Sequence, residues 1–186
     1  AVIGGLLAGA VGGFLTWLLV IEPFFAPRLE SFTNFGALLA FDAVWGGIVG
    51  LGIGLSLGAA EGLVSRSWYQ ARRGGLIGAG LGLLGGALGL VVGEIVYQPL
   101  AWLCFVGRAV GWGVFGAILG ASEGLTRRSW LGLRNGMLGG LIGGAAGGFM
   151  FDLVGIIIVA LTGLEGLSRG VAITILGALI GFWLAA

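Results

Sequence analysis

The chain has no histidine, no lysine and a single cysteine, and only 9% of its 186 residues are charged. Each absence excludes something. Without histidine there is no His-ligated haem or chlorophyll and no Ser-His-Asp triad. Without lysine there is no Schiff base for retinal or pyridoxal phosphate. Cys104 stands alone in an apolar run, cannot form an internal disulfide, and reads as inert. Soluble domains carry about 25% charged residues, so a surface this poor in charge would not stay wet. A net charge of +1 gives no signal for nucleic acid. Proline is also scarce, at three residues, whereas glycine supplies 42. That combination fits membrane helices, whose backbones approach across glycine, and not a disordered or collagen-like chain.

An integral membrane protein follows, built entirely from α-helices. Six stretches reach the ~20 apolar residues a crossing requires. They run over 1–21, about 35–64, 74–96, 103–125, 136–161 and 170–186. Pro23 and Pro27 are expected to stop the first helix. The apolar start reads as a span and not as a signal peptide, because it lacks a charged leader region and shares the glycine pattern of later spans.

That pattern organises the chain. Glu61–Gly86 returns as Glu123–Gly148 with 13 of 26 positions identical. Gly74, Gly78, Gly82 and Gly86 correspond to Gly136, Gly140, Gly144 and Gly148. Four-residue spacing places each set on one helix face, as a groove for a neighbouring backbone. The reading is one membrane domain, 1–186, of three tandem parallel two-helix repeats at about 1–64, 74–125 and 136–186, packed as a glycine zipper. Glu165-Gly166-Leu167 looks like a further copy of Glu-Gly-Leu. It follows an odd span and lacks Ser-Trp, so it reads as a turn on the opposite side.

Arginines crowd the loops after even spans, which predicts that these loops and both termini are cytoplasmic in a plasma or bacterial inner membrane. Arg66, Trp68, Arg128 and Trp130 there read as interfacial anchors, with a docking role for a partner or anionic lipid as the functional alternative. Ionisable residues inside spans are functional candidates by default. Asp42, Glu94, Arg108, Asp152 and Arg169 are predicted to share one layer toward the other side. They read either as an ion-pair network tying the hairpins together or as a proton or ion pathway.

The combination EGLxxRSW, GGxxGG, FDLVG (Phe151–Gly155) and SRGVAITILGALIG resembles the glycine-rich multi-span region of bacterial membrane proteins that carry forkhead-associated domains. The resemblance runs from about Ala43 onward. It implies a membrane region preceding a cytoplasmic phosphothreonine-reading domain, and hence a cytoplasmic C-terminus. A second analogy, to glycine-zipper protein-translocase subunits of mitochondria, has no residue-by-residue match. The expectation is a non-enzymatic scaffold or anchor without cofactors or metals. Its partners are lipid and other membrane subunits or further copies of itself. A channel or transporter for ions or small solutes, using the embedded charges, is the alternative.

Overall fold

Serine, arginine and glycine set where the helices begin and end. The computed structural model describes residues 2–25, 34–99, 104–127 and 129–185. Helix α1 covers Val2–Thr16 and continues as a π-helical segment, Trp17–Phe25. Then come α2 (Phe35–Val64), α3 (Trp68–Tyr97), α4 (Cys104–Arg127), α5 (Trp130–Thr162) and α6 (Glu165–Ala185). Ser67 and Ser129 cap α3 and α5, each hydroxyl accepting a backbone N–H from the first turn, of Gln70 and Gly132. Between α2 and α3 the chain reverses through Arg66 at φ 54°, and Gly62 packs against the backbone of Ala71. Gly163, at φ 69°, ends α5 in the left-handed conformation, and its N–H returns to the Val159 carbonyl.

The first helix does not stop at Pro23. Proline removes a hydrogen bond and clashes with an earlier carbonyl in an α-helix. Here the wider π turn carries the helical path past it to Phe25. Helices α3 and α5 also start earlier than hydropathy suggests, because the arginine-bearing segments before the expected spans are serine-capped helix and not loop. Among the described residues, five helices are long and apolar enough to cross a membrane, and α4 carries a shorter apolar stretch, Val106–Ala121. The result is an all-α, multi-span helical bundle.

The helices form a closed ring in chain order, sealed by α1 against α6. The most extensive contacts run between α2 and α3, α4 and α5, and α6 and α1, and not within the hairpins 1–2, 3–4 and 5–6. Glycines explain why. Along α2 and α3, Gly58 faces Gly74, Gly54 faces Gly78, Gly50 faces Gly82 and Gly46 faces Gly86, each so close that a Cβ would strike the opposite carbonyl. Along α4 and α5, Gly120 faces Gly136, Gly116 faces Gly140, Trp112 faces Gly144 and Arg108 faces Gly148. Along α6 and α1, Gly181 faces Gly5, Gly177 faces Gly9 and Ile173 faces Gly13. The glycines of α3 and α5 singled out from the sequence thus all meet partners within the chain.

The even helices fill the axis. Trp45, Val49 and Ile53 of α2 meet Trp112, Phe115 and Leu119 of α4 and Ile173, Leu176 and Ile180 of α6, with Ile21 alongside, all buried. The packing is cyclic. Phe115 and Leu119 of α4 lie on Gly50 and Gly54 of α2. Ile53 and Leu57 of α2 lie on Gly177 and Gly181 of α6. Leu184 of α6 lies on Gly120 of α4. Among the described residues these interdigitating side chains fill the axis.

Candidate functional site

The embedded charges lie at the end of the bundle away from the arginine-rich turns. They are placed by the same four-residue steps that set the glycine contacts. On α4 and α5, Arg108 faces Gly148, and Asp152 follows one turn further along α5. The Arg108 Nε donates to Asp152 Oδ1 at 2.8 Å. The guanidinium carbon also sits 5.5 Å from the Phe151 ring centre, a cation–π contact.

On α6 and α1, one step beyond Ile173 and Gly13 sets Arg169 beside Trp17, whose ring lies on Gly170. The acid that meets Arg169 is Glu22, at 3.6 Å, with Glu165 at 3.7 Å on the other side. Glu22 stands five residues beyond Trp17 and not four. The π turn supplies the extra residue, and the Trp17 indole N–H donates to Glu22 Oε2 at 3.1 Å. These residues and Gly163–Leu167 line an open cavity of about 470 Å³. Glu22 belongs to the site although it falls outside the expected first span, because the π turn carries the helix past Pro23.

The third interface is different. Continuing the α2 and α3 steps past Gly46 and Gly86 sets Asp42 opposite Leu90, with Glu94 one turn further along α3. Asp42 therefore stands to Glu94 as Arg108 stands to Asp152 and Arg169 to Glu22, but one turn further out than Arg108, whose place on α2 is held by Gly46. The other two interfaces each carry an arginine with its acids, whereas this one carries two acids and no arginine. Asp42 feels repulsion from Glu94 and attraction from Arg108. Among the described residues its carboxylate takes part in no ion pair or hydrogen bond. Glu94 accepts a hydrogen bond from the Gln98 side-chain amide at 2.9 Å.

Just inside this layer Trp45, Trp112 and Phe151 pack together. Trp112 stacks on Phe151 at 6.2 Å, and Trp45 meets both edge-on at 6.1 and 6.5 Å. Among the described residues, the indole N–H groups of Trp45 and Trp112 and the Arg169 Nε are buried without acceptors. Buried unmet donors are uncommon and costly.

Of the sequence candidates, Asp42, Glu94, Arg108 and Asp152 cluster across α2 to α5, while Arg169 pairs separately with Glu22 and Glu165. At the opposite end Arg66, Trp68 and Trp130 are exposed around the helix starts. Arg128 lies outside the described residues, as do the side chains of Glu61, Glu123 and Arg127. No group of three or more acidic or cysteine ligands close enough for a metal ion occurs among the described residues.

The Arg108–Asp152 pair is testable alone. Arg108→Ala leaves an acid without its counter-charge and is expected to lower the unfolding temperature in detergent. Arg108→Ala/Asp152→Ala is expected to recover part of the loss, with a coupling on the order of 1 kcal/mol in a double-mutant cycle. Additive losses would show that the two side chains do not act as a pair.

Fold and site together define a multi-pass helical membrane protein with ionisable side chains embedded among apolar helices. No protein-family model matches the chain, and no curated protein or solved structure matches it.

Proposed function

We propose that the protein mediates transport of protons or small cations, with Asp42 and Glu94 as the working pair. The observation that carries this reading is the uneven charge of the layer. Five acids (Glu22, Asp42, Glu94, Asp152 and Glu165) meet two arginines (Arg108 and Arg169), and Asp42 and Glu94 share an interface with no arginine of its own. A purely structural ion-pair network balances its charges, because an uncompensated acid inside a bilayer is expensive. An acid pair without a base is relieved by taking up a proton or a cation.

In this account the three interfaces are three repeats of one helix pair packed across glycines. Two are locked by Arg–acid pairs and one is left open for exchange. The packed axis at Trp45, Trp112 and Phe115 is the closed state of the pathway. The arginine-rich end faces the cytoplasm, with both termini on that side.

The test is flux into liposomes that contain this chain alone, reported by entrapped pH- and potassium-sensitive dyes. Flux above that of empty liposomes is expected, and Asp42→Asn is expected to lower it at least tenfold. Wild-type liposomes no leakier than empty ones would sink the reading.

The packed axis favours a second reading, a non-enzymatic scaffold or anchor. Here the bundle is a rigid membrane base for other subunits, or for an attached domain such as the phosphothreonine readers of the family it resembles. Stoichiometric partners retained in mild detergent, together with silent liposomes, would favour it.

A further inference from the structure

We infer that the arginine-rich end of the bundle binds anionic phospholipid, with a headgroup phosphate on each of two equivalent ledges, Trp68–Arg72 on α3 and Trp130–Arg134 on α5. The inference does not depend on whether the bundle conducts or only anchors.

On each helix the tryptophan and the arginine are one turn apart on the same face. Trp68 and Trp130 are 77% and 79% exposed, so neither is packed against the bundle. The same face then continues apolar and unpartnered. On α3 it runs through Leu76, exposed, and Gly80, which has no neighbour within 4 Å, to Leu84, also exposed. On α5 it runs through Leu138 and Ile142, both exposed. A phosphate held at the arginine thus leaves an acyl chain lying along an apolar row of matching direction. A soluble protein partner has no use for such a row.

Length places the ledges at the right depth. The 30 residues of α3 and 33 of α5 extend about 45–50 Å, against roughly 30 Å of hydrocarbon, so their first turns lie among headgroups. Charge supplies the sign. Residues 62–75 and 124–136 hold six arginines and no acid, and the flanking Glu61 and Glu123 leave an excess of four. Arg66, Arg72, Arg73 and Arg134 are exposed and form no ion pair among the described residues. Arginine matches phosphate with two parallel N–H donors.

The experiment is native mass spectrometry of the purified chain in mild detergent. It is titrated with phosphatidylglycerol, with phosphatidylcholine of the same chains, and with soluble glycerol phosphate. Phosphatidylglycerol is expected to be retained at least about fivefold better than phosphatidylcholine, at two sites. Arg72→Gln/Arg134→Gln is expected to weaken each site about fivefold, and Arg72→Lys/Arg134→Lys much less. Equal retention of the two lipids overturns the proposal without any variant. So does a glutamine variant that binds like wild type. Glycerol phosphate displacing the lipid at matching concentration also overturns it, by showing a site for free phosphate.

Discussion

Gly82→Leu breaks the bundle, whereas Gly80→Leu, two residues away on the same helix, leaves it intact. At Gly82 an added Cβ would meet the carbonyl of Gly50 on the facing helix, which is backbone and cannot swing aside. At Gly80 nothing lies within 4 Å, so the leucine simply joins the lipid-facing surface. Both changes add the same apolar volume and the same gain in helix propensity, so propensity cancels in the comparison. Lipid gives helices no hydrophobic reason to associate. The α2–α3 contact depends on close packing and on the interactions that close packing permits. Forcing the pair apart at its third glycine step loosens the neighbouring steps at Gly78 and Gly86 as well. The expected cost is about 3 kcal/mol, enough to turn a monodisperse peak into aggregate on size exclusion. Gly80→Leu should elute and melt like wild type. If both variants behave alike, the glycine contacts do not hold the bundle together.

Asp42→Arg is expected to do the opposite and stabilise the protein. Substitution of an arginine for a membrane-embedded acid normally destabilises. Here the register supplies a partner, because the arginine would stand to Glu94 as Arg108 stands to Asp152 and Arg169 to Glu22. It would remove the repulsion between Asp42 and Glu94 and complete a third Arg–acid pair, one turn further out than Arg108 and Asp152. The gain is on the order of 1 kcal/mol, the scale of a polar contact between membrane helices. Asp42→Asn should remove the repulsion without making the pair, and fall between wild type and Asp42→Arg. Moving the same substitution one turn inward, to Gly46→Arg, would drive a long side chain into the Gly86 contact and destabilise.

Much of this was legible in the sequence. The second span, Phe35–Val64, coincides with α2, because its ends are marked by a loop asparagine and a Ser-Arg-Ser turn. The third and fifth helices are longer than the spans that hydropathy marks. Arg72, Arg73 and Arg134 lower local hydropathy, yet the Ser67 and Ser129 caps begin the helices before them. Glycine spacing showed which face of α3 and α5 would be approached, but spacing within one helix does not say which helix approaches it. The α2, α4 and α6 partners emerge only when the chain is folded. The same limit hid the charge pairing. Arg108 and Arg169 stand at equivalent places in a visible alignment, but the relation of Asp42 to Glu94 emerges only once α2 is set against α3. Glu22 gives no such signal because it precedes a proline, and the π turn that brings it to Arg169 leaves no mark in hydropathy.

The most direct test measures unfolding temperature and cation flux on the same preparation of Asp42→Arg. The account predicts a protein that melts higher than wild type and conducts nothing, because its one open interface has been locked like the other two. A variant that melts lower, or one that conducts like wild type, would contradict it.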